Sequence, residues 1–160
     1  MSTPSEQPIS PAKQDAKELP PALQLTRDLL EQQTREFLDA FNTRNWETLE
    51  TQWSNLVDHD RFTGTVGNHA PALSWKEHID VYRHMAHAKP NLHIKPIQID
   101  SHIKDEEGTA ELFVFAELTG HEGGIKTQGL SNLSWRQKRG GQWLCVKHTI
   151  LQAMGDVEKF

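Results

Sequence analysis

The sequence has one cysteine, no long hydrophobic run and no concentration of basic charge, and each shortage closes a class of function. A lone Cys145 cannot form an internal disulfide, and one thiol cannot build a cysteine cage around a metal. It stands between Leu144 and Val146 in a strand-like run, the setting of a small buried hydrophobe rather than a nucleophile. No apolar stretch approaches the roughly 20 residues of a membrane-spanning helix. The first residues lack the basic start and apolar stretch of a secretory signal, so a cytoplasmic location without a membrane partner is expected. A formal charge of -5 argues against nucleic acid, because phosphate binding needs a concentrated basic surface, and Lys138 with Arg139 form only a turn cluster. A nucleophilic-serine motif, a phosphate loop and a dinucleotide fingerprint are also missing, and no cofactor is expected.

What is present fits one soluble globular domain: 160 residues, 36% apolar and 24% charged. Residues 1–22, rich in Pro, Ser, Gln and Lys, read as a disordered arm, and residues 23–155 as a single α+β domain. From Leu25, apolar residues recur at helical spacing through Leu29, Leu30, Phe37, Leu38 and Phe41. Asn45 is placed to cap a second short helix carrying Trp46, Leu49 and Trp53. Leu56 to Phe62 could be a strand, and Thr63 to Leu73, with Gly64, Gly67, Asn68 and Pro71, is expected to be a loop. Ser74 and Glu77 match a capping box that opens a helix to about Ala88, with Trp75, Ile79, Tyr82 and Met85 on one face. Four strand-like segments follow: His93 to Ile103, Thr109 to Thr119, Ile125 to Gln137 and Gln142 to Leu151. Helices first and sequential hairpins afterwards predict a curved antiparallel sheet packed on three N-terminal helices, a cone able to enclose a hydrophobic small molecule.

The last hairpin carries the most chemistry. If Arg139 to Gly141 form a three-residue loop, Asn132 lies opposite His148 and both project to one face. An amide beside an imidazole on a buried face is costly unless something satisfies both, and a ligand could do so.

The string Phe37-Leu38-Asp39-Ala40-Phe41-Asn42, followed by Asn45-Trp46-Glu47-Thr48-Leu49, together with the order of elements, resembles the nuclear transport factor 2-like superfamily. Within it the chain resembles the SnoaL-like polyketide cyclases and scytalone dehydratase, over Arg27 to Leu151. The resemblance implies the cone-shaped fold and places Asn132 at the asparagine that holds the dehydratase's substrate, and His93 at one of its two catalytic histidines. Leu118 takes the place of the other histidine, Phe41 and His59 the places of two tyrosines that position a catalytic water, and Asn42 that of a neighbouring aspartate. His148 stands where that family has an apolar pocket residue. The chain thus resembles a relative that kept the cone and changed the chemistry.

Strand parity puts Leu112, Val114, Ala116 and Leu118 on one face and Glu111, Phe113, Phe115 and Glu117 on the other. By the resemblance the first set suits the pocket wall; the second, with two aromatics, suits an oligomer surface, and a homo-oligomer is expected. His59, flanked by Asp58 and Asp60, is either an exposed edge residue or a pocket imidazole; His148 is either a satisfied core histidine or a pocket group. Trp75 and Tyr82 belong either to the core or to the pocket mouth. His84 and His87 have the spacing of a two-histidine metal pair but no evident third ligand, so His78, His84 and His87 read as a solvated helix face and no metal is expected.

Two functions are compatible with this pattern. One is a cofactor-independent lyase or isomerase of specialised metabolism, acting by dehydration, isomerisation or cyclisation on a polyketide- or terpenoid-like substrate. His93 and His148 would shuttle protons, Asn132 would hold a carbonyl or enolate oxygen and His59 would assist, with Tyr82, Trp75, Phe41, Asn42 and Leu118 around the substrate. The other is a non-catalytic ligand-binding or protein-assembly module of the same shape.

Overall fold

The computed structural model describes residues 19–67 and 72–150. The expected arm therefore lies almost wholly outside the described residues, as do Asn68 to Pro71 and the stretch from Leu151 onward. Helix α1 spans Pro21–Asn42, α2 spans Trp46–Glu50 and α3 spans Trp75–Ala88. Strands are β1 Thr63–Val66, β2 His93–Lys104, β3 Thr109–Thr119, β4 Thr127–Gln137 and β5 Trp143–Ile150. They form one five-stranded sheet in the order β1-β5-β4-β3-β2, antiparallel except for the parallel pair β1 and β5. The α+β reading holds.

Local chemistry explains the helix ends. Pro21 starts α1, where its fixed φ is helical and its missing N–H costs nothing. Arg44, at φ 59, stops the chain after α1, and its guanidinium donates to the carbonyls of Phe41, Pro90 and Leu92, tying that stop to the far end of α3. Asn45 caps α2 by accepting from the Thr48 N–H, and Ser74 with Glu77 forms the expected capping box on α3. The buried face of α1 carries Leu30, Phe37, Leu38 and Phe41; Leu25 and Leu29, assigned to the same stripe by spacing, are 72% and 48% exposed.

Three expectations are corrected. Leu56 to Phe62 is not a strand: Trp53–Leu56 is a 3-10 turn, and Trp53 leaves α2 to stack in the core on Trp75 with ring centroids 5.2 Å apart. The stretch expected to be all loop contains β1, a short strand whose only long partner is β5 on the far side of the sequence, so no hairpin signal marks it. The third concerns register. Gln137 pairs with Trp143 and Trp135 with Cys145, as a three-residue loop requires, but a bulge inserts one extra residue on β5 before Ser134 meets Lys147. Beyond it Leu133 faces His148 and Asn132 faces Thr149. A one-residue slip sends a side chain to the opposite face, so Asn132 and His148 point away from each other.

The core lies between the helices and the inner face of the sheet, where Leu112, Val114, Leu133 and Trp135 meet Phe37, Phe41, Trp53, Trp75, Ile79 and Tyr82. Parity on β3 is as expected: Leu112, Val114 and Ala116 are buried, and Phe115 is 38% exposed on the other face.

Candidate functional site

The helices do not fill the cone. A cavity of about 120 Å³ remains between Leu38 of α1, Tyr82 and Met85 of α3, Ile94 of β2, Val114, Ala116 and Leu118 of β3, Gly129 to Ser131 of β4, and His148 and Ile150 of β5. Its size is close to that of engineered apolar cavities of ~150 Å³ that take up benzene. Apart from backbone groups, the polar lining comes from Tyr82, Ser131 and His148, and none of the described lining residues is a carboxylate.

His148 is 3% exposed and its Nδ1 lies 3.0 Å from Nε2 of His78, which is fully buried. Aromatic rings enclose the pair. Phe37 meets His148 edge-on at 5.2 Å, Tyr82 stacks on it at 5.9 Å, and Phe62 and Tyr82 meet His78 edge-on. Burial pushes the His78 imidazole down from 6.5 to about 4 and holds His148 well below the usual range, the neighbouring His78 adding to the effect on His148. Both rings are therefore neutral near pH 7. Tyr82 is the chain's one tyrosine, and burial raises its phenol well above 10.0, so it too keeps its proton.

His78 was expected on a solvated face and is instead the second member of this pair. The signal was in the sequence: it stands three residues after Trp75 and four before Tyr82, on the buried stripe. Its place is made by Gly64 of β1, where any Cβ would sit 2.4 Å from His78 Nδ1. That Nδ1 has no hydrogen-bond partner.

The other expected site residues are distributed as follows. Leu118 and Tyr82 line the cavity with His148. His93 is exposed at the start of β2, while its neighbour Ile94 turns inward. His59 is exposed, with Nε2 3.0 Å from Ser54 Oγ and 2.9 Å from the Ser54 carbonyl. Asn132 lies on the outer sheet face, donating to Glu111 Oε1 at 2.9 Å and to the Leu112 carbonyl; Ser134 donates to the same carboxylate. Asn42 uses both ends of its amide on the Ile94 backbone, at 2.7 Å and 2.8 Å, fastening α1 to the start of β2. Phe41 is a core residue between Trp46 and Tyr82, and Trp75 donates its indole N–H to the Leu49 carbonyl. His93, His59, Asn132, Asn42, Phe41 and Trp75 thus stand outside the cavity wall, and Ser131, Met85 and Leu38, not among the expected site residues, belong to it.

Cys145 is fully buried, its thiol pushed up to about 12, which makes it inert as a nucleophile. Among the described residues no group of three His, Cys, Asp or Glu could hold a metal ion, and no helix is long and apolar enough to cross a membrane.

No protein-family model matches the chain, and no curated protein does. Solved structures do. An NTF2-like protein of unknown function from Pseudomonas putida superposes with a TM-score of 0.66 at 9% identity, over 86% of this chain and 93% of that one. A candidate dehydratase of the NTF2-like family from Streptomyces avermitilis gives 0.58 at 15% identity, over 76% and 91%. A candidate ketosteroid isomerase from Shewanella frigidimarina gives 0.57 at 13% identity, over 74% and 91%. At such identities the likeness is one of fold: the chain has the nuclear transport factor 2-like fold.

Proposed function

We propose that the protein is a cofactor-independent lyase or isomerase that moves a proton on a compact, largely apolar carbonyl compound held in the cavity, by dehydration, isomerisation or cyclisation. The observation that carries this reading is an imidazole and a phenol, His148 and Tyr82, both kept neutral by burial, at the wall of an otherwise apolar cavity. When a proton leaves the carbon beside a carbonyl, negative charge gathers on the carbonyl oxygen. A preorganised donor aimed at that oxygen in a dry site is worth ~10²- to 10³-fold in rate. Tyr82 can supply such a donor, and so can His148 at Nε2, its Nδ1 being taken by His78; the proton that leaves carbon passes to water at the cavity mouth, since the described lining holds no carboxylate to receive it. The solved neighbours that bear dehydratase and ketosteroid isomerase names are compatible with this chemistry.

The roles first assigned to His93, His59 and Asn132 pass to Tyr82 and His148. Cavity size narrows the substrate: about 120 Å³ suits one ring or a short branched chain, so a larger polyketide- or terpenoid-like molecule would insert one end and leave the rest at the mouth. The absence of a carboxylate from the described lining favours the second reading, a non-catalytic module that only holds such a ligand.

Deuterium uptake from solvent tests the two. Small cyclic ketones and hydroxyketones incubated with the protein in deuterated buffer are followed by proton NMR. Exchange beside the carbonyl above the buffer rate, lost in Tyr82→Phe, supports the enzyme. Retention of ligand without exchange moves the assignment to the binding module.

A further inference from the structure

We propose that His78 is a positioning residue that fixes His148 as the Nε2–H tautomer, so that the cavity presents a hydrogen-bond donor and selects a compact ligand with an acceptor oxygen: a ketone, an enolate or a phenolate. The proposal rests on the functional reading above and names its ligand class. It starts from Nδ1 of His78, which is buried and has no hydrogen-bond partner. Gly64 packs over the face of that ring, since a Cβ there would lie 2.4 Å from Nδ1, 2.7 Å from Cγ and 3.0 Å from Cε1, and its N–H and carbonyl are engaged with Leu73 at 2.8 Å each. A buried N–H left without an acceptor is rarer in folded proteins than a buried lone pair left without a donor.

Nδ1 of His78 is therefore the unprotonated nitrogen, and the ring's one hydrogen sits on Nε2. Nε2 lies 3.0 Å from His148 Nδ1, so His78 donates and His148 Nδ1 accepts. A neutral imidazole that accepts at Nδ1 carries its hydrogen on Nε2, the edge left for a cavity ligand. Tyr82 and Ser131 line the same cavity, and each carries a hydroxyl able to donate. With these donors and no carboxylate among the described lining residues, an ammonium or other donor-only ligand finds little to bind. A site built to hydrogen-bond an oxygen rejects the analogue that lacks it.

Long-range proton–nitrogen correlation NMR on the full chain near pH 7 reads tautomers directly, with His78→Gln and His148→Gln spectra used to assign the two rings. The expected result is the Nε2–H pattern on both. A hydrogen on Nδ1 of His148 overturns the proposal. Titration with cyclohex-2-enone and with cyclohexene then tests the ligand class. We expect the enone alone to move the His148 Nε2–H resonance and to bind at least about tenfold tighter. Equal binding, or an unmoved resonance, overturns the ligand assignment. Neither readout requires turnover, so an inactive protein with these signatures would overturn the enzyme reading and leave the tautomer and ligand class standing.

Discussion

Gly64 and His78 touch where no other residue pair could: the strand backbone comes so near the buried imidazole that a Cβ on residue 64 would lie 2.4 Å from Nδ1 and 2.7 Å from Cγ. Gly64 also pairs with His148 across the parallel ladder, so one glycine seats both histidines. Gly64→Ala should therefore cost about 1–3 kcal/mol by overpacking, measured as a fall in urea midpoint with unchanged slope. The obstacle is steric, since the atoms met belong to a fully buried ring that cannot swing into solvent. An alanine variant as stable as the parent would mean that the ring is not held there.

Asn42 acts as a splice rather than a ligand contact. Its amide accepts from and donates to the Ile94 backbone, standing in for a missing strand neighbour at the cavity's edge. Asn42→Ala leaves a partly buried N–H and carbonyl without those partners and should cost about 1–3 kcal/mol in chemical denaturation. Asn42→Asp keeps the shape but loses the donor, and should fall between parent and alanine.

Much of the fold was legible because it is written locally. Ser74 and Glu77 announced α3, Asn45 announced α2, and the alternation on β3 separated its two faces. What failed depended on partners far away in sequence. The β5 bulge displaced Asn132 from His148 without a glycine to signal it, because Val146 and its neighbours read as an uninterrupted strand. β1 is too short to show a period and exists by pairing with β5. His78 lay on the apolar stripe, but a polar residue type outweighed its position, and only the facing His148 makes its burial affordable.

Deleting the Tyr82 hydroxyl should separate chemistry from packing. Tyr82→Phe keeps the ring contacts with Phe37, Phe41 and His148, so stability should change by no more than about 1 kcal/mol. On the proposed function, solvent-exchange activity should drop ~10²-fold or more. His93→Ala and His59→Ala, at exposed positions outside the cavity, should change stability by less than about 0.5 kcal/mol and leave that activity intact. Loss of activity in either surface variant would send the chemistry back outside the cone.

Because the chain has a single tyrosine, alkaline difference spectra report Tyr82 alone. Its phenol is raised well above 10.0 by burial, so the folded state keeps a proton that the unfolded state gives up. Stability contributed by this group is present below pH 10.0 and declines above it. Tyrosinate absorbance should therefore rise together with the loss of far-UV circular dichroism, rather than ahead of it. An early rise with the fold intact would show an open phenol.

The histidine pair sets the opposite limit. Above pH 6.5 both rings are neutral whether the chain is folded or not, and they add no pH dependence. Below 6.5 the unfolded chain takes up protons that the buried rings refuse, so stability falls with pH until the folded values are reached. For His78 the fall from 6.5 to about 4 corresponds to about 3 kcal/mol, and His148 acts in the same direction. The surrounding rings of Phe37, Phe62, Trp75 and Tyr82 bring no negative charge to stabilise an imidazolium, and a proton on one histidine repels a proton on the other. Carboxylates also titrate toward the acid end, so the measurement is a difference: urea unfolding of the parent and of His78→Gln at steps from about pH 7 to about pH 4. The variant keeps a side-chain amide that can still donate to His148 Nδ1 but carries no titrating ring, and its stability should fall less steeply, by about one proton per molecule. Identical slopes would mean that His78 meets solvent in the folded state, and the neutral pair on which the cavity's chemistry depends would be lost with it.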